Sequence, residues 1–213
     1  MKVSDLTEWC LQPFKCIAVV KRRQLLARSG NNFDSRGAFQ RRNSALARTA
    51  AEAFLGSLDE RAVERAAAEV EIPGRLQVVE EEPLVLYDGA HNPAGAEALA
   101  EALPEVVGGR PLTAVIGVLD DKDAAGMLRA LLPLCAHVVF TRSRNPRSLS
   151  PATLASLAAK LGGPDAECVA DPAAAVGRAR ELAGHDGAVI ATGSIYLIAD
   201  LVRDPAAARA STL

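Results

Sequence analysis

The segment Asp88-Gly89-Ala90-His91-Asn92-Pro93 brings a carboxylate, an imidazole and a helix-opening pair together. It follows the apolar run 84–87, so Asp88 falls at a strand end. A carboxylate there can accept hydrogen bonds from a ribose. Gly89 and Ala90 are small enough for a ligand to approach the backbone. Asn92 can cap the next helix, with Pro93 at its first position. The amides of that first turn can face an anion. His91, beside them, can donate to a phosphate or to a bound carboxylate. The same residues also describe a plain capped strand-to-helix turn, and local physics leaves both readings open.

Four other places carry polar chemistry. Arg75 follows Pro73-Gly74. It can present a fork to phosphate or stack on a base, or can simply be a solvated surface arginine. Lys122 sits in Asp120-Asp121-Lys122-Asp123. That loop places Lys122 near a phosphate or a substrate carboxylate, or is a solvated loop in which Asp121 caps the next helix. Arg142, Arg144 and Arg147 follow the run 136–141 and read as a carboxylate clamp or as surface charge. Thr192-Gly193-Ser194 is a helix-opening turn that binds an anion or is only a capped start.

Some chemistries have no motif here. No Gly-Lys dipeptide occurs, so no G-x-x-x-x-G-K-[ST] phosphate loop is present. No G-x-G-x-x-G follows a strand, and no G-x-S-x-G elbow occurs. His91, His137 and His185 are far apart, and no metal spacing of His and Cys is found. His137, inside a strand, reads as a packing residue.

The elements that must position these residues follow from hydrophobic period. Helices are expected over 43–55 and 60–70, the first ended by Gly56. Strands are expected over 76–79, 84–87, 113–119, 136–141, 167–170 and 187–192. Helices are expected over 92–107, 123–132, 150–161, 172–183 and 194–202. The first forty residues show no clean period; 16–20 reads as a strand and 21–29 as a basic helix. Alternating strands and helices predict a Rossmann-like, doubly wound α/β sheet, mostly parallel, preceded by a short helical segment. Ligands of such sheets bind outside the carboxyl ends of the strands. That rule selects the loops named above.

Composition fits one medium domain or one domain plus an extension: 213 residues, 49% hydrophobic and 4% aromatic. The core is expected to be aliphatic. A formal net charge of -2 calls for neither nucleic acid nor an anionic membrane. No apolar run reaches the length of a membrane span, and no signal peptide is read at the start. Cys135 and Cys168 read as buried small hydrophobes, which suits a reducing cytoplasm.

The ordered motifs resemble folylpolyglutamate synthase and dihydrofolate synthase of the Mur ligase superfamily. They are Ile72-Pro73-Gly74-Arg75-Leu76, the 88–96 segment, Asp121-Lys122-Asp123 and Thr192-Gly193-Ser194-Ile195-Tyr196-Leu197. Upstream, 37–47 resembles the segment closing that family's central ATPase domain. The likeness runs over about residues 37 to 203. It implies a central P-loop domain followed by a Rossmann-like C-terminal domain, with ATP between them. The implied reaction phosphorylates the carboxylate of dihydropteroate or of a folate's glutamate tail. The amine of L-glutamate then attacks to form an amide, with magnesium and cations neutralising charge. Carried over residue by residue, Asn43 and Arg75 are expected at ATP and Asp88 at its ribose. His91, the catalytic candidate, is expected near the phosphates or the inter-domain cleft. Arg147 is expected on the glutamate side, with Lys122 near a phosphate or substrate carboxylate. Phe39 stands where many members carry a histidine, and no role is carried over to it.

The family's phosphate loop, magnesium ligands and most of its pterin pocket precede the matched region. The expectation is therefore a remnant of the central domain over 1–71 and a C-terminal domain over 72–213. Such a chain is expected to lack ligase activity alone. A stand-alone nucleotide- or amino-acid-binding module on the same fold is the alternative, and a degenerate interaction domain a third.

Overall fold

A computed structural model describes residues 38–69 and 72–203. The chain divides into two compact units, Met1–Val70 and Glu71–Leu213. The expected strand 16–20 and helix 21–29 lie outside the described residues.

In the first unit, α1 (Ala38–Leu55) starts five residues before the expected position and α2 (Glu60–Glu69) matches it. Gly56, with φ 82°, closes α1 by donating its N–H to Glu52 O at 2.9 Å. Arg48 of α1 pairs with Glu52 and with Glu60 at the start of α2. Leu46 and Phe54, which share the helical apolar spacing with Ala50 and Ala53, are exposed, as is Leu55.

The second unit is a six-stranded sheet in the order β1-β2-β6-β3-β4-β5. Its strands are β1 (Gln77–Glu81), β2 (Leu84–Tyr87), β3 (Leu112–Ile116), β4 (His137–Phe140), β5 (Ala166–Cys168) and β6 (Ala188–Thr192). β1 pairs antiparallel to β2; all other neighbours are parallel. The helices are α3 (Pro93–Val107), α4 (Ala124–Leu131), α5 (Pro151–Lys160), α6 (Pro172–Ala183) and α7 (Ile195–Arg203). The doubly wound, mostly parallel expectation therefore holds.

Every residue of β2, β3 and β6 is buried, which explains their unbroken apolar runs. From β2 the chain steps across the sheet to β5, then returns to β6. Right-handed crossovers put helices on opposite faces for the outward and return journeys. Accordingly α6 and α7 pack on Val85, Tyr87, Val115, Val139, Val189 and Ala191. The alternate residues face the other way, toward α3, α4 and α5. The apolar run 113–119 was expected to be all strand, but β3 ends at Ile116. Gly117–119 bends away, and Leu119 forms one antiparallel bridge with Ser148.

Two expectations are corrected at this side of the sheet. Cys168 is exposed, not buried, because its strand has a neighbour on one side only. His137 is exposed at the first position of β4 and is not a packing residue. Cys135 is half-buried and donates to Leu131 O at 3.2 Å. Burial pushes its thiol up to about 12. Alkylation at pH 8 with peptide mapping should therefore label Cys168 at least about tenfold faster than Cys135, since only the thiolate reacts. Equal rates would contradict the placement of both thiols.

Candidate functional site

β6 enters the sheet last yet lies between β2 and β3, so three loops meet at its carboxyl end. The Asp88 amide donates to Ala191 O at 3.0 Å, and the Gly117 amide to Thr192 O at 3.1 Å. The Gly193 amide donates to Ala90 O at 3.1 Å. Gly193 has φ 103°, and a Cβ there would lie 2.6 Å from Gly117 O. Only glycine fits, because both the dihedral and the space exclude a side chain. This is the switch point at which sheets of this type take ligands.

The Arg75 turn is fastened to that junction. The Gly89 amide donates to Gly74 O at 2.7 Å. Leu76 has φ 44°, a strained value for a non-glycine residue. Its amide donates to Asp88 Oδ2 at 3.0 Å, and the Ala90 amide donates to Asp88 Oδ1 at 2.8 Å. Asp88 is 1% exposed, so its carboxylate is a buried acceptor that holds the Arg75 turn and the 88–91 loop together. Burial raises its pKa, against the two amide bonds and the charge of Arg75, which lower it. Both carboxylate oxygens are turned to backbone amides, so the ribose contact expected of Asp88 is not open at this surface. Arg75 itself is exposed.

His91 is half-buried, with Nδ1 3.0 Å from Gly89 O. The carbonyl can only accept, so Nδ1 carries the hydrogen and Nε2 of the neutral ring is left as an acceptor. Asn92 caps α3 as expected, its Oδ1 accepting from the Gly95 amide at 2.8 Å. Thr192 Oγ1 is buried at the junction without a hydrogen-bond partner among the described residues. Such an orphaned hydroxyl suits a polar ligand at this end of the sheet.

The arginine loop, 141–150, divides its charges. Arg147 turns toward the β3 side, 3.4 Å from Asp121 Oδ2, which also lies 3.0 Å from Lys122 Nζ. The hydrogen bond from Lys122, with the charges of Lys122 and Arg147, lowers the Asp121 pKa. Asp123, not Asp121, caps α4, accepting from the Gly126 amide at 2.8 Å. Arg142 and Arg144 instead line a cavity of about 560 Å³ toward β5, with Ser143, Asn145 and Asp171. The three arginines thus do not form one clamp.

Several contributing residues have no motif of their own. Asp171 caps α6 through Oδ1, 2.8 Å from the Ala174 amide, and lines the cavity. The Asp-Pro pair at the helix start was its only signal. Ser143 is buried and bonds Ser148 Oγ at 2.6 Å. Asp200, inside α7, accepts the Arg144 amide at 2.7 Å; nothing local in the sequence marks it. Asn43 lies on α1, exposed, in the other unit. Among the described residues no three or more His, Cys, Asp or Glu side chains converge as a metal site.

The profile described as Mur ligase, glutamate ligase domain, matches residues 74–195, and the chain belongs to that family. Within it, the chain is 43% identical over 134 residues to the dihydrofolate synthase/folylpolyglutamate synthase of Mycobacterium tuberculosis. That match takes in 61% of this chain and 28% of the relative. A probable bifunctional folylpolyglutamate synthase/dihydropteroate synthase of Haloferax volcanii is 37% identical over 164 residues, 77% of this chain and 19% of that protein. The structure of Mycobacterium tuberculosis folylpolyglutamate synthase complexed with ADP superposes with a TM-score of 0.73 at 36% identity. It covers 79% of this chain and 40% of that one. The chain thus spans less than half the length of these relatives.

Proposed function

We propose that this chain is the C-terminal domain of an ATP-dependent folylpolyglutamate/dihydrofolate synthase. The parent enzyme joins L-glutamate to a folate or dihydropteroate carboxylate activated as an acyl phosphate. One observation carries this reading. The region matched to the glutamate ligase domain contains Arg75, Asp88, His91, Lys122 and Arg147 on loops at one end of the sheet. Helices α1 and α2 are assigned to the end of a central ATPase domain, and Asn43 to its nucleotide contact. Localisation is assigned to the cytoplasm, and the product to folate and one-carbon metabolism. Among the described residues no helix is long and apolar enough to cross a membrane.

In this reading Arg75, exposed on a turn fixed by Asp88, meets the nucleotide. Asp88 supplies the ribose contact once the Arg75 turn tied to it through Leu76 moves aside. His91, with Nε2 free to accept or, when protonated, to donate, faces the phosphate end. Lys122 and Arg147 neutralise carboxylate or phosphate charge on the β3 side. The arginine loop and its cavity take the incoming glutamate, whose two carboxylates suit guanidinium forks. Magnesium is assigned mainly to the P-loop domain, as the likeness to the family implies, where it would neutralise phosphate charge.

Titrating the purified chain with ADP and with L-glutamate tests the reading. Both should bind, and Arg142→Ala or Arg144→Ala should each weaken glutamate about tenfold, the loss of one charge-assisted hydrogen bond in the cavity they line. The chain alone should release no ADP in the presence of ATP, folate and glutamate. Turnover by this chain would overturn that expectation. Tight nucleotide binding with no glutamate binding would instead mark a nucleotide-binding module.

A further inference from the structure

Helix α7 lies against several of the site's loops. A Cβ on Gly89 would stand 3.1 Å from Ile195 Cγ2, and one on Gly74 would stand 3.1 Å from Ile198 Cγ2. A Cβ on Gly117 would stand 3.4 Å from Leu197 Cδ2. The first turn of α7 is therefore set against the Arg75 turn, the 88–91 loop and the end of β3. Its start is fixed by Ser194, whose Oγ accepts the Tyr196 amide at 3.1 Å. Asp200 lies one short step further along the same helix.

Asp200 Oδ2 accepts the Arg144 amide at 2.7 Å, across 56 residues of sequence. The acceptor is a carboxylate, so the bond is of the stronger, charge-assisted kind. It engages the backbone of Arg144 and leaves the guanidinium to the cavity that Arg144 lines. The far half of the arginine loop is held differently. The Asp120 amide donates to Arg147 O at 2.8 Å, and the Leu149 amide to Val118 O at 2.9 Å. The Arg147 amide donates to Asn145 Oδ1 at 2.9 Å. The near half, which carries Arg142 and Arg144, has the Ser143–Ser148 hydroxyl contact and Asp200. Without Asp200, the Arg144 peptide loses its one tie to the helix that rests on the nucleotide-facing loops.

We propose that Asp200 is a positioning residue for amino-acid recognition. It fixes the Arg144 peptide so that the Arg142 and Arg144 guanidinium groups face the cavity in a form that accepts an acidic amino acid. The inference rests on the glutamate reading of that cavity. Small misplacements of a binding group are costly because orientation is lost before contact is made.

The test is nitrogen-15 NMR of the full chain, with L-glutamate added to wild type, Asp200→Ala and Asp200→Asn. The amides of 142–145 and 147–149 report binding, and thermal unfolding reports integrity. Asp200→Ala should bind L-glutamate about tenfold more weakly, with its unfolding temperature and the 88–91 resonances unchanged. Asp200→Asn, whose side-chain oxygen still accepts, should restore most of the affinity. A wild type that responds while Asp200→Ala binds equally well overturns this inference alone. So does Asp200→Asn as weak as Asp200→Ala, which would assign the effect to charge and not to the acceptor. So does a fall in unfolding temperature that accounts for the lost binding. A wild type whose loop ignores L-glutamate overturns the glutamate reading and this inference with it.

Discussion

Gly193→Ala should leave the second unit largely unfolded at temperatures where the wild type is stable. The new Cβ would sit 2.6 Å from Gly117 O, inside van der Waals contact, and neither backbone segment is at the end of a flexible side chain. The φ of 103° is closed to alanine as well. Strain of about 1–3 kcal/mol from the dihedral adds to about 1–3 kcal/mol from overpacking. For a chain of this size the sum lowers the unfolding temperature by on the order of 10 °C. Relief means parting β6 from the end of β3, where the Gly117 amide meets Thr192 O at 3.1 Å. Thermal unfolding followed by circular dichroism checks this. A variant that melts within a degree or two of wild type would mean the junction is looser than the structure has it.

Asp88→Ala should be nearly as damaging, for a different reason. It removes the acceptor of two buried amides, Leu76 and Ala90, and each unmet donor costs about 1–3 kcal/mol. Leu76 would then hold its φ of 44° without the bond that fixes it, and Arg75 would lose its placement. Weaker ADP binding should accompany the lost stability. Asp88→Asn separates charge from shape. The Asp88 pKa is raised in the fold, chiefly by burial, so the folded state favours the protonated carboxyl more than the unfolded chain does. Its contribution is fully present below the ordinary value of 3.8 and is lost as pH rises through the raised value. The stability advantage of wild type over Asp88→Asn should therefore shrink between pH 4 and pH 7. An advantage that grows over that range would mean the two amide bonds outweigh burial.

The element plan was legible because it rests on local signals. The Asn92-Pro93 and Ser150-Pro151 pairs start helices where capping chemistry says they should. The buried strands β2, β3 and β6 announce themselves by apolar runs. Strand order is not local, and the misplaced burial of Cys168 follows from it, since a residue cannot reveal in its own neighbourhood that its strand lies at an edge. His137 is exposed because it stands at the first position of β4, and a strand's exact start is not legible from its apolar run. Asp88 illustrates the same limit within the site. Its type and position pointed to a ligand loop or a capped turn, whereas its tie to Leu76, 12 residues away, appears only once β1 and β2 pair. The arginines 142, 144 and 147 looked like one clamp, yet their loop sends them to different sides. Asp200 gave no signal, because an aspartate within an amphipathic helix reads as surface charge until the loop it holds is in place.

The position of β6 also bears on how the domain is made. Its residues are the last of the sheet to leave the ribosome, and they belong in the middle. A nascent chain ending before Ala188 holds the β1–β2 hairpin and the β3-β4-β5 ladder, but nothing to join them. Each fragment shows an open parallel edge, a form prone to wrong partners. Consolidation of the sheet waits until synthesis passes Leu201, when β6 can pair on both sides and α7 can cover it. Long-range pairing of this kind slows folding, and it makes the interval before the last strand emerges the period of greatest exposure to aggregation.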